Sequence, residues 1–210
     1  MTAPNPEPRW PGLVAVLSVG FLQVLMPHGM GAGRKEGWAA VGLTRVLAAA
    51  AFLVPKWHVR LGYATSTVAT GVLGYSLYAL VRVLVFGQKI AAVELLQGAM
   101  LIWTMNIIVF AAWYWRLDAG GPHGRSRHQT YRQGAFLFPQ LTLPEVHGQW
   151  RPRFIDYLFV AFNASTAFSP TDSPVLSRWA KMLMMVQSSI SLTTLAIVAA
   201  RAVNILDVKG

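Results

Sequence analysis

Ser165, Thr166, Ser169, Thr171 and Asp172 fall within eight residues of one another, interrupted by Pro170 and followed by Pro174. Hydroxyls and a carboxylate set this close can replace part of an ion's hydration shell, provided the backbone carrying them is not helical. Proline fixes φ and removes an N–H, so this backbone cannot continue a helix. Downstream, Gln187, Ser191 and Thr194 recur at helical spacing and form a polar stripe on one face. Isolated charges in apolar surroundings make a third group. Glu94 is the acidic residue inside a long apolar run, and Arg45 and Arg82 are its candidate partners for an intramembrane charge pair. Little else could do chemistry. There is no cysteine, and His123 and His128 stand five apart without carboxylate support, so no metal is expected. No nucleophile is set beside a base, and Gly29 to Gly37 lacks the spacing of a phosphate loop. Neither a cofactor nor an enzymatic activity is expected.

The elements that must position these residues are helices in lipid. Of 210 residues, 54% are hydrophobic and 12% charged, and long apolar runs recur. That excludes a soluble domain with one core and predicts an all-α polytopic membrane protein of a cell membrane. The runs Gly12 to Met26, Trp38 to Val54, Leu61 to Phe86, Ile90 to Trp115 and Trp179 to Leu206 give about five long transmembrane helices. Phe154 to Asn163 is too short to cross a ~30 Å hydrocarbon layer and reads as a re-entrant or pore-like helix before the last span. The chain then divides into a disordered lead (1–10), a four-helix membrane region (11–115), a polar basic connector (116–152), the short helix, broken segment and last span (153–206), and a tail (207–210). Within the connector, Phe136 to Pro144 reads as an apolar stretch at the interface, with Pro139 and Pro144 preventing a helix.

The net charge of +10 sits mostly in the connectors, dispersed among the spans, which argues for anionic lipid and topology rather than nucleic acid. Placing the N-terminus inside puts Arg9, Lys56, Arg60 and the Arg116 to Arg153 connector in the cytoplasm, with Arg34, Lys35 and Lys89 outside. Reading Phe154 to Ser169 as a sixth crossing would bring both termini inside. The re-entrant reading is preferred because Pro170, Thr171 and Asp172 follow so soon.

The order of short helix, broken backbone and long helix resembles the potassium-channel pore module, on the run N-A-S-T-A-F-S-P-T-D from Asn163 to Asp172, with Arg178 and Lys181 ahead of the last helix. The resemblance implies that Ser165, Thr166, Ser169, Thr171, Asp172, Gln187, Ser191 and Thr194 line a pore, in a homo-oligomer that is a tetramer if channel symmetry is kept. Phe168, Ser169 and Pro170 replace the glycines of a potassium filter, and no glycine stands between Gly148 and Gly210. The module also requires the orientation opposite to the charge rule. The chain is similar, too, to a family of uncharacterised bacterial integral membrane proteins, on Trp115, Leu117, Asp118, Gly120, Gly121, Phe138, Pro139, Asp156, Tyr157, Asp172, Ala202, Val203 and Asn204. That likeness implies membrane placement and no activity. The reading favoured by the missing filter is a non-conducting, pore-module-derived membrane protein or accessory subunit. The alternative is a channel-like protein whose hydroxyl and carboxylate constriction is not potassium-selective.

Overall fold

A computed structural model of the chain describes residues 8, 10–27, 30, 42–43, 46, 58–86, 90–128, 134–143, 150–166 and 173–207, with side chains to residue 200. The helices are α1 (Trp10–Val24), α2 (His58–Val85), α3 (Ala92–Leu117), the short α4 (Gly121–His128), α5 (Phe154–Thr166) and α6 (Arg178–Asp207). The architecture is all-α, as the sequence predicts. Among the described residues three helices, not five, are long and apolar enough to cross a membrane: Val59–Val85, Ala92–Gly120 and Arg178–Ala200. α1 has 15 residues, about 22 Å of helix at the standard rise, which falls short of the hydrocarbon thickness. The expected span Trp38 to Val54 lies outside the described residues, apart from Gly42, Leu43 and Val46, which are helical.

α3 is the axis of the bundle. In its most apolar stretch 61% of residues are buried, against 33% for α2 and 22% for α6. It touches α1, α2, α5 and α6 in turn. Cross-contacts fix the directions. Gln97 Nε2 donates to Leu25 O at 3.3 Å, while Gly12 lies against Trp115 at the other end, so α1 runs antiparallel to α3. Trp113 Nε1 donates to Thr70 Oγ1 at 2.8 Å, and Gly62 abuts Arg116, so α2 is antiparallel to α3 and parallel to α1. Gln23 Nε2 ties α1 to Ser76 Oγ of α2 at 2.7 Å.

α5 has the opposite direction to α3 but only half its length. It starts at the C-terminal end of α3, where Phe154 meets Trp115 edge-on at 5.8 Å. It stops at mid-bundle, where Ser165 O accepts from Trp103 Nε1 at 3.4 Å. Local signals set both neighbouring starts. Asp156 Oδ2 accepts from Arg153 N at 2.7 Å, the return arm of a capping box, and Ser177 Oγ accepts from Ala180 N at 3.4 Å at the start of α6. α6 begins back at the end where α5 began, since Trp179 meets Phe136 edge-on at 6.3 Å and Phe136 lies 5.0 Å from Tyr114 near the end of α3. The chain therefore enters and leaves the α5 excursion at one end of the bundle. α5 runs three residues beyond the expected Asn163, to Thr166, and a sixth crossing is not formed.

That shared end is closed by the connector. The stretch expected at the interface, Phe136 to Pro144, turns its rings into the protein: Phe136 and Phe138 are 1% and 3% exposed. Phe136 pairs with Val175 in an isolated antiparallel bridge, with Leu137 N to Pro174 O at 2.9 Å and Leu176 N to Ala135 O at 2.7 Å. Its ring also meets Tyr157 at 6.0 Å, and Phe138 meets Tyr157 at 5.4 Å and Trp150 at 5.5 Å. A turn of 3-10 helix, Pro139–Leu141, follows. Bulky rings separated by proline cannot helix, but they fill the mouth of the bundle.

Candidate functional site

A helix that ends inside a protein in lipid leaves carbonyls that water cannot reach, and each unsatisfied one costs several kcal/mol. α5 ends at mid-bundle, and its final two turns are met by donors from α3 and α6. Gln187 Nε2 donates to Ala161 O at 2.6 Å and to Ser165 Oγ at 2.8 Å. Ser188 Oγ donates to Ala164 O at 3.1 Å, and Trp103 Nε1 to Ser165 O. Thr166 Oγ1 turns back to Phe162 O at 3.0 Å. Gln187 Oε1 accepts from the Tyr114 hydroxyl at 2.6 Å, and its backbone O accepts from Asn106 Nδ2 at 3.0 Å. Asn106 Nδ2 also donates to Ser191 Oγ at 2.8 Å, while its Oδ1 has no partner among the described residues.

The stripe expected from sequence is thus brought together with Ser165, but around the tip of α5. Gln187, Ser191 and Ser165 are fully buried within the single chain, and Thr194, 1% exposed, donates to Ile190 O at 2.8 Å within its own helix. Thr166 is exposed at the tip. Ser169, Thr171 and Asp172 lie outside the described residues, as does Arg45. Glu94 and Arg82 are exposed at the opposite end of the bundle, in the first turn of α3 and the last turn of α2. Each has the charge sign that its helix terminus favours.

A second buried polar cluster joins the connector to α3 and α5. Asp118 Oδ2 accepts from the Tyr157 hydroxyl at 2.6 Å, and Oδ1 from Ala135 N. Arg125 Nη1 donates to Trp115 O and Asp118 O, both at 2.9 Å, and its guanidinium lies 5.0 Å from the centre of the Tyr157 ring. Asp118 and Arg125 are 1% and 2% exposed. The reversal that permits this uses positive φ at Ala119, Gly120 and Gly121, and a Cβ on Gly121 would stand 2.7 Å from Arg116 O. Sequence reasoning singled out Asp118, Gly120, Gly121 and Tyr157 for a family likeness alone. The physical signal was a charged residue directly after an aromatic belt, followed by two glycines.

Both clusters are dense hydrogen-bonded systems, the first leaving Asn106 Oδ1 over among the described residues. They can fix the end of a half-helix and clamp a connector; neither sets a nucleophile beside a base. Compared with known protein families, curated proteins and solved structures, the chain has no significant match to any of them. The two likenesses read from its residues are therefore joined by no family assignment, and what stands is a chain with three membrane-length apolar helices.

Proposed function

We propose that the chain is a non-conducting, multi-pass membrane protein, a scaffold or accessory subunit, in which α5 is a re-entrant half-helix. The observation that carries this reading is the direction of the polar stripe. Gln187, Ser188 and Ser165 spend their hydrogen bonds on the tip of α5 and on α3 instead of facing an outer axis that copies of the chain could share. A conducting path would need those groups free to replace hydration water. The pore-like alternative retains one favourable observation, the return of the chain to the end at which α5 started.

The topology that accompanies the proposal follows from directions. α1 and α2 are parallel, so their starts lie at one end of the bundle. The end shared by the starts of α1, α2, α5 and α6 carries Arg60, Arg116, Arg125, Arg151, Arg153, Arg178 and Lys181, and is the cytoplasmic end by the charge rule. The entry side is thus opposite to that of a potassium-channel loop. Purified protein reconstituted into planar bilayers is expected to pass no current in sodium, potassium or chloride solutions across a wide voltage range. A sustained current altered by Thr166→Ala would sink the proposal.

A further inference from the structure

Arg116 occupies the last turn of α3, and its guanidinium lies in a slot between α1 and α2. A Cβ added to Gly12 would stand 3.2 Å from its Nη2, and one on Gly62 would collide with its Nη1. Both neighbouring helices thus omit a side chain where the guanidinium rests. It lies 5.7 Å from the centre of the Trp115 ring, and its Nε is buried with no hydrogen-bond partner among the described residues. An arginine keeps its charge and all its donors at any physiological pH, so a slot that leaves the buried Nε without an acceptor among the described residues is incomplete.

The surroundings sharpen what is missing. The first turns of α1 and α2 contain no acidic residue. Asp118, the nearest acid in sequence, is bonded to Tyr157 and Ala135. The N-termini of α1 and α2 end at this level and add positive potential, and Arg60 is exposed two residues before Gly62. The Tyr63 and Trp113 rings pair 6.2 Å apart beside the slot, aromatic groups of the kind that sit at headgroup depth. On the α2 side of it, Val59 and Tyr63 are 47% and 37% exposed.

We propose that this slot binds the phosphodiester of an anionic phospholipid, with the acyl chains lying along the α2 flank at Val59 and Tyr63. The planar guanidinium fork fits a phosphate oxygen pair, and the exposed apolar flank is what distinguishes a lipid headgroup from a free anion. The inference rests on the membrane-embedded reading, which carbonate extraction tests separately. Release of the protein from membranes would overturn both, whereas retention leaves the lipid site to its own test.

In that test, full-length protein in a neutral detergent is given phosphatidylglycerol, phosphatidylcholine or inorganic phosphate. Thermal unfolding and retained lipid are followed, the latter by native mass spectrometry. Phosphatidylglycerol is expected to be retained about fivefold over phosphatidylcholine, the ratio given by ~1 kcal/mol per basic contact, and to raise Tm. Arg116→Gln should abolish the preference and Arg116→Lys should keep only part of it. The proposal is overturned by a preference that survives Arg116→Gln, by none in the wild type, or by equal protection from inorganic phosphate. If Arg116→Gln does not fold, Gly62→Ala, which fills the slot from α2, must weaken retention instead.

Discussion

The seam around Gln187 and the slot around Arg116 are both polar places walled by α3, and they are filled in opposite ways. In the seam, donors from α3 and α6 converge on the carbonyls of a helix that stops in mid-bundle, so all but Asn106 Oδ1 of its named polar groups are met within one chain. In the slot, a guanidinium is laid between two glycines with no acceptor for its Nε among the described residues. The difference teaches that polarity inside an apolar bundle is not by itself a mark of function. What matters is whether the hydrogen-bond account closes. In the seam one neutral acceptor, Asn106 Oδ1, is left over beside many completed bonds; in the slot it is a charged group that is left open, and that is the ground of the lipid proposal.

Substitutions can break or sharpen this contrast. The largest effect is expected from Asp118→Ala, at the closed cluster beneath the seam. It strips the acceptor from the buried Tyr157 hydroxyl and from Ala135 N, at a cost of about 3 kcal/mol in unfolding in detergent micelles. Gln187→Leu keeps the volume but withdraws the donor to Ala161 O and Ser165 and the acceptor of Tyr114. Several deleted bonds of ~0.6 kcal/mol each, together with an exposed carbonyl, give about 2 kcal/mol by the same measurement. A loss below about 0.5 kcal/mol would mean that α5 does not depend on this seam. Arg116→Gln in lipid-free neutral detergent should cost the least, about 0.5 to 1 kcal/mol, the worth of its stacking on Trp115. If it destabilised as strongly as Gln187→Leu, the slot would belong with the hydrogen-bonded clusters and the contrast would fail.

Much of this was readable in the chain. Apolar run length and proline placement located α2, α3 and α6 to within a few residues, because in lipid a backbone must either complete its helix or be sheltered. The shortness of Phe154 to Asn163 foretold a helix that does not cross, and Gln187, Ser191 and Thr194 were seen as one stripe because helical spacing fixes their face. The partner of that stripe was not legible. Spacing gives the face of a residue but not which neighbour it meets, and a stripe that could line a pore is indistinguishable from one that caps a neighbouring helix. α1 was expected as a short span over Gly12 to Met26, and the helix has the same length of 15 residues shifted by two, Trp10–Val24. The burial of Phe136 and Phe138 escaped the sequence for another reason: their docking depends on a bridge to Val175, nearly forty positions along the chain.

That bridge bears on how the protein is made. The Phe136 segment leaves the ribosome before Tyr157, Val175 and Trp179, all of which it needs as neighbours. Translation thus delivers the Phe136 segment ahead of every one of those neighbours, and its docking has to follow the synthesis of the start of α6.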